Sequence, residues 1–322
     1  MHRIGLCGVV VLAVASVQGC FLLGGGGGGG GTGGGTATVF VSGYVTVRKD
    51  GRNVILTDER DVNAPVQLTS IGGASMPSFS RDGRQVVFAR KSGQDSELMV
   101  VLVSGGTPST ILRSSATQQN LRTPSFSPDG MRIAFAYDEN ATSSSVGLVN
   151  VDGSNFRKLV GGGALAYSSP SWFPDGNSLL VSAGNAGLMQ TQIERIDVTS
   201  GTPTNITNTL GNEALAIASR IVVSPDARRA VFDGRVSSGV TRIFVLDLTT
   251  RMVSLQRVPS SGTVNDSAPA WVDGNTFVFS SDEGGNDQVY RQVVGASSPT
   301  LAVPLAIEPS VFVKTVAADA GP

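Results

Sequence analysis

The 322-residue chain predicts an all-β fold: a six-bladed β-propeller of four-stranded antiparallel blades, closed by N- and C-terminal strands. Three observations predict it. Five segments read alike, beginning Pro77-Ser-Phe-Ser, Pro124-Ser-Phe-Ser, Pro170-Ser-Trp-Phe, Ile221-Val-Val-Ser and Pro269-Ala-Trp-Val. Their turn aspartates, Asp82, Asp129, Asp175, Asp226 and Asp273, recur at intervals of 47, 46, 51 and 47 residues. Each segment is followed by the same succession of short apolar runs and turn residues, which is the signature of a stacked repeat rather than of one sandwich.

The elements follow in chain order. Met1-His-Arg3 is a short basic start, the run from Ile4 to Val17 is apolar, and small residues precede Cys20. That order describes an export signal over residues 1–19. Val17-Gln18-Gly19-Cys20 resembles the bacterial lipobox. The resemblance implies cleavage before Cys20 and acylation of that residue, and two or three acyl chains hold a protein to a bilayer far more firmly than one. Phe21 rather than Asp follows the cysteine, which in enterobacterial lipoproteins implies the outer membrane. The expected address is therefore the cell envelope, as an outer-membrane lipoprotein of a Gram-negative bacterium.

Residues 20–37 form the lipidated cysteine and a tether. Eleven glycines fall within residues 24–35, interrupted by Thr32. Such a tract has no side chains to pack and maximal backbone entropy, so it is expected to remain a coil. The propeller is assigned to residues 38–317, with a short tail at 318–322.

Within one unit, Pro-x-aromatic ends a first strand. Ser-Pro-Asp-Gly then places Pro at i+1 and Gly at the last position, which suits a type I turn ending in a left-handed residue. Ala227 stands where the other copies have Gly83, Gly130, Gly176 and Gly274. Since that unit also lacks the usual Pro and aromatic, its turn is expected to have changed to negative φ. An alternating run such as Arg132–Ala136 makes the second strand. Third strands follow at 97–103, 146–151, 192–198, 242–248 and 288–294, and short fourth strands such as 157–160 complete each unit. A blade cannot bury both faces alone, so neighbours must stack and the ring must close. The leading segment offers strands at 39–47, 53–58 and 65–69, one short of a blade. The run 310–316, after breaks at Pro304 and Pro309, supplies the missing innermost strand.

The unit P-x-[WF]-S-P-D-G-x-x-[IV]-A-F resembles the WD40-like (PD40) repeat of the TolB-type propeller family, over about residues 45–305. The resemblance implies architecture rather than activity. TolB carries a further α/β domain before its propeller, through which it binds envelope proteins. Here a glycine tract stands in that place, so that role does not carry over.

Composition narrows the chemistry. Charged residues are 15% of the chain, with 24 Lys+Arg against 25 Asp+Glu, and nucleic-acid binding runs on clustered basic residues that this chain lacks. The single His2 and both cysteines, Cys7 and Cys20, fall in the first twenty residues. A mature chain starting at Cys20 has no histidine, and its one thiol is acylated. This excludes Ser-His-Asp and Cys-His catalysis, His- or Cys-based zinc sites, and a structural disulfide. No P-loop, Rossmann or GxSxG fingerprint is present. No cofactor is expected.

Propeller ligands sit at one channel mouth, on loops entering the innermost strand or joining the second and third strands. Arg122, Tyr167, Arg220 and Asp266 are the candidate residues for one polar partner group, beside Glu213 and Asn265. The acidic loops 138–140 and 281–287 carry oxygen ligands of the kind calcium takes, but Asp/Asn/Gly clusters are ordinary loop chemistry, and no metal site is assigned. The function expected is a membrane-tethered, non-catalytic scaffold for an envelope protein or glycan. The alternative is a carbohydrate hydrolase or lyase acting through carboxylates such as Glu213, Asp266 and Asp282. TolB-like lyases rely on His and a metal, which the mature chain cannot supply as His.

Overall fold

The structure is a computed structural model, and it describes residues 42–163, 165–185, 190–207 and 216–313. The signal, Cys20, the glycine tract and Glu213 lie outside the described residues. No helix among the described residues is long and apolar enough to cross a membrane.

Six four-stranded antiparallel sheets form the propeller. Blade 1 consists of Ala74–Phe79, Gln85–Ser92, Asp95–Leu102 and Ser109–Arg113, innermost strand first. Blade 2 consists of Gln119–Phe126, Arg132–Asp138, Ser144–Asn150 and Arg157–Val160. Blade 3 has Ala166–Trp172, Ser178–Asn185, Gln190–Asp197 and Pro203–Thr207. Blade 4 has Ala216–Val223, Arg229–Arg235, Thr241–Asp247 and Val253–Leu255. Blade 5 has Asp266–Trp271, Thr276–Ser281, Gln288–Val293 and Thr300–Val303. Blade 6 joins the two chain ends: Ala306–Val313 is its innermost strand, followed by Ser42–Arg48, Val54–Asp58 and Asp61–Gln67. The innermost strands pack against one another in ring order, with that of blade 6 touching those of blades 5 and 1.

The tail strand thus closes the ring, but four residues earlier than 310. Pro309 does not break it, because it sits in a bulge where the register against the second strand shifts. The third leading strand also lies earlier, at Asp61–Gln67 rather than 65–69.

That bulge recurs. The residue before the proline, Met76, Thr123, Ser169, Ala268 or Glu308, is left-handed in five blades, with φ between 48° and 55°. Non-glycine residues seldom adopt this conformation. A register shift of one extra residue accompanies each, and the bulge turns the following side chain toward the axis.

The core is a set of inter-blade layers. Phe88, Phe135, Phe232 and Phe279 occupy the same second-strand position in four blades and are fully buried. Apolar clusters fill the seams, for example between blades 2 and 3 around Trp172, Leu148 and Ile196, and between blades 3 and 4 around Leu180, Ile193 and Phe232. The aromatic that ends the innermost strand has a second use. Trp172 Nε1 donates to Ser125 O (3.1 Å) and Trp271 Nε1 to Val222 O (2.9 Å), each on the preceding blade.

The turn motif is held by side chains as well as by Pro and Gly. Ser80 Oγ donates to Asp82 Oδ1 (2.6 Å) and accepts from Gln85 N (2.9 Å). Ser224 and Asp226 repeat the arrangement in blade 4. There Ala227 is left-handed, with φ 58°, contrary to the expected change of turn. The blade 5 turn is the one that has changed. It is one residue shorter, Gly274 is absent from the left-handed set, and Val272 and Asp273 N both donate to Thr276 O.

Candidate functional site

The bulges set what lines the axis. A cavity of about 70 Å³ is bounded by Ser78, Ser125, Ser171 and Ser310, one residue past each proline position, and by Arg220. Arg220 stands in blade 4 where the other blades have their left-handed residue. Its buried guanidinium crosses the channel and donates to Pro309 O of blade 6 (2.8 Å) and Pro77 O of blade 1 (3.1 Å). Burial lowers its pKa, opposed by the charges of Glu308 and Asp233.

Those two carboxylates organise the seam around it. Asp233, fully buried, accepts from Ser219 N (3.0 Å), Arg220 N (2.8 Å) and Ala268 N (3.0 Å), and from the Ser219 hydroxyl. Glu308 on the closing strand accepts from Arg52 Nη2 (2.7 Å) and Met76 N (2.6 Å). Neither was singled out in the sequence, where Asp233 follows the apolar run Ala230–Phe232 and Glu308 sits in a tail.

The other candidates each have separate partners. Arg122 Nη1 donates to Asp138 Oδ1 (2.7 Å), which also accepts from the Ser144 hydroxyl. Burial raises the Asp138 pKa, but Ser144, Asn120 and Arg122 together hold it below the usual value. Tyr167 is buried against the seam with blade 2, and burial, then the charge of Glu194, pushes its phenol up to about 12. Asp266 is fully buried and accepts from Arg257 Nε (3.0 Å). Burial raises its pKa, with Ser281 and Arg257 opposing. Among the described residues, no hydrogen bond or ion pair joins any two of the four. The acidic loops are similarly engaged: Glu139 by Lys158 (2.9 Å), Asp282 by Asn265 and Asp287 by Lys49 (2.6 Å). Among the described residues no group of three or more His, Cys, Asp or Glu could hold a metal.

Arg257 is a buried charge that local pattern could not reveal, because it reads as an ordinary loop cation. It is buried over the Phe279 ring at 5.5 Å, and Nη2 donates to Glu283 (2.7 Å). Glu283 in turn accepts from Ser260 Oγ (2.9 Å). The segment from Gln256 to Asp266 is therefore pinned at both ends, and it holds Val258 outward, 78% exposed.

Leu305 is a second outward apolar side chain, 61% exposed. It follows Pro304 in the turn entering the closing strand and has φ 52°. Glycine is usual there, and a side chain in this conformation costs about 1–2 kcal/mol. The sequence showed only a break at Pro304, and a leucine gives no signal of a left-handed turn position. Val258 and Leu305 each lie in a connection from a fourth strand to the next innermost strand, at the same end of the blades as the second-to-third-strand turns that Lys49 and Asp287 tie together. This loop face is opposite the Ser-Pro-Asp-Gly turns.

A family model described as the TolB beta propeller domain matches residues 42–223. The chain is 26% identical over 125 residues to the uncharacterized peptidase YuxL of Bacillus subtilis (strain 168), a match covering 36% of this chain and 18% of that protein. It thus spans less than a fifth of this curated relative. Among solved structures, TolB from Acinetobacter baumannii superposes with a TM-score of 0.67 at 19% identity, over 85% of this chain and 66% of that one. A putative TolB from Agrobacterium tumefaciens gives 0.60 at 17% identity, over 82% and 89%.

Proposed function

The chain belongs to the TolB β-propeller domain family, and on that premise we propose that it is a non-catalytic protein-interaction scaffold of the cell envelope, held at the outer membrane through acylated Cys20. The observation that carries the binding role is the loop face. Leu305 keeps a large apolar side chain in solvent on a strained backbone, and Arg257 holds Val258 out beside a rigid ring. Strain retained at an exposed position supports a role other than stability. Rigid apolar anchors reduce the ordering cost of association. Of the polar candidates, Asp266 supports the Val258 segment through Arg257, while Arg122 is paired within blade 2 and Tyr167 packs in the seam between blades 2 and 3. The carboxylates open to a hydrolase or lyase, Asp266 and Asp282, are tied to Arg257 and Asn265, which favours the scaffold.

The test places a photo-crosslinking residue at Val258 or Leu305 in the full lipoprotein, with Thr110 on the outer strand of blade 1 as control. A discrete envelope-protein adduct is expected from the first two only. Leu305→Gly should raise stability by about 1 kcal/mol while lowering the Val258 adduct severalfold. Equal adducts at all three positions, or stabilisation with an undiminished adduct, would sink the reading. Anchoring is checked by palmitate labelling, which Cys20→Ser should abolish.

A further inference from the structure

The residue after the proline position lines the axial cavity in all six blades, but its chemistry is not the same in each. Blades 6, 1, 2 and 3 place Ser310, Ser78, Ser125 and Ser171 there, whereas blades 4 and 5 place Val222 and Ala270. The cavity therefore has a hydroxyl wall across four contiguous blades and an apolar wall across the other two. The innermost strands run from the loop face toward the turn face. Arg220 precedes the serine layer on its strand, so its guanidinium closes the cavity on the loop side. Ser78, Ser125 and Ser310 are only half-buried, so solvent reaches the layer.

The hydroxyl wall holds donors without acceptors. Ser171 Oγ accepts from Val223 N (2.9 Å) and Ser310 Oγ from Phe79 N (3.3 Å), which leaves each O–H proton for the channel. The Ser78 and Ser125 hydroxyls make no hydrogen bond among the described residues, and both line the cavity. Thr123 Oγ1, on the same wall, is buried and has no partner among the described residues. Arg220 is 9% exposed, and its two carbonyl bonds use two of the five N–H donors a guanidinium carries. Asp233 and Glu308 offset its charge through space. Asp233, however, is held by backbone N–H groups and Ser219, and Glu308 by Arg52 and Met76 N. Neither carboxylate lines the cavity.

We propose that this cavity is a binding site for a small monocarboxylate of about the size of acetate. Its carboxylate accepts from the serine hydroxyls and the remaining Arg220 N–H groups, and its short apolar end rests against Val222 and Ala270. Unmatched donors around a buried cation, with no carboxylate on the wall, select an anion. The apolar third of the wall selects a carboxylate over phosphate, which needs donors on every side. The volume of about 70 Å³ matches two waters at ~30 Å³ each, room for three or four heavy atoms. The site is independent of the scaffold reading, which concerns the loop face.

The chain has two tryptophans, and each indole N–H is bonded to the carbonyl of a residue on the cavity wall, Trp172 to Ser125 O and Trp271 to Val222 O. Full-length protein labelled with 15N-tryptophan therefore reports the site through two signals. Sodium acetate replacing sodium chloride at constant ionic strength should shift both signals saturably. Acetamide, the neutral isostere, and sodium phosphate should each need at least tenfold higher concentrations. Ser78→Ala combined with Ser125→Ala should raise the acetate half-saturation about tenfold, with parent signal positions in chloride showing that the variant is folded. Acetate shifts that stay linear, or acetamide acting as well as acetate, overturn the site. Phosphate acting as well as acetate overturns the assignment to a carboxylate, and an undiminished response of the double variant overturns the role of the serines.

Discussion

At Ala227 the backbone is left-handed although the side chain disfavours it, because the turn keeps its length and its serine–aspartate bonds. Ala227→Gly should therefore stabilise the protein by roughly 0.5–1 kcal/mol, the left-handed penalty less the entropy glycine adds to the unfolded chain. A denaturant midpoint that rises at unchanged slope checks this; one that falls refutes the geometry. The turn aspartates also set an acid limit. The Ser127 hydroxyl, then the Met131 N–H, hold the Asp129 pKa below its usual value, and Ser224 does the same for Asp226. A depressed folded pKa contributes stability that is present above the unfolded value of about 3.9 and is lost as pH falls through the folded one. Midpoints should fall below about pH 4, and Asp129→Asn should lower the midpoint at pH 7 but scarcely at pH 2. Asp266 acts in the opposite sense: burial raises its pKa, so its ionisation costs stability as pH rises from about 3.9.

The innermost strands carry the element-scale logic. Each takes a bulge at the proline position, of one extra residue in five blades and two in blade 4, which aims hydroxyls and one guanidinium at the axis. Arg220 looked like a ligand contact because it precedes a strand near the channel mouth. Its acceptors lie 89 and 143 residues away, and no local pattern encodes such partners. Arg220→Met should leave two buried carbonyls unpaired and cost on the order of 3 kcal/mol. Arg220→Lys should recover little, because one ammonium cannot reproduce the fork that reaches two carbonyls. Denaturant midpoints of both variants against the parent decide it, and an unchanged midpoint for Arg220→Met would falsify the seam role.

For the whole molecule, stability depends on a seam between residues at opposite ends of the chain. Ser42 and Val313 are cross-strand partners, and antiparallel Cα separations of about 4.5–5.5 Å suit a disulfide. Ser42→Cys with Val313→Cys should crosslink on oxidation. Constraining so long a loop should raise stability by about 5 kcal/mol in the chain-entropy account. Comparing oxidised and reduced midpoints measures it, and no shift would mean that the ends separate in solution.

The repeat interval, the alternating strands and the Ser-Pro-Asp-Gly turns were readable from residues alone, because strand alternation and turn chemistry act over two to five neighbours. Six blades and their tail-strand closure followed from counting strands. Which turn stayed left-handed was misread, since drift at Ile221 said nothing about a turn whose length and serine were intact, while the missing residue before Asp273 was the better signal. The candidate site was legible only as a list of polar loop residues. Arg220 turned inward to the seam, Asp266 paired with a buried Arg257, and Leu305 and Val258 turned outward. The outcome at Arg220 depends on contacts between blades, which form only when the ring closes and brings distant segments to one axis; Arg257 and Asp266 are nine residues apart, and their burial together was decided by the packing of their connection against the blade.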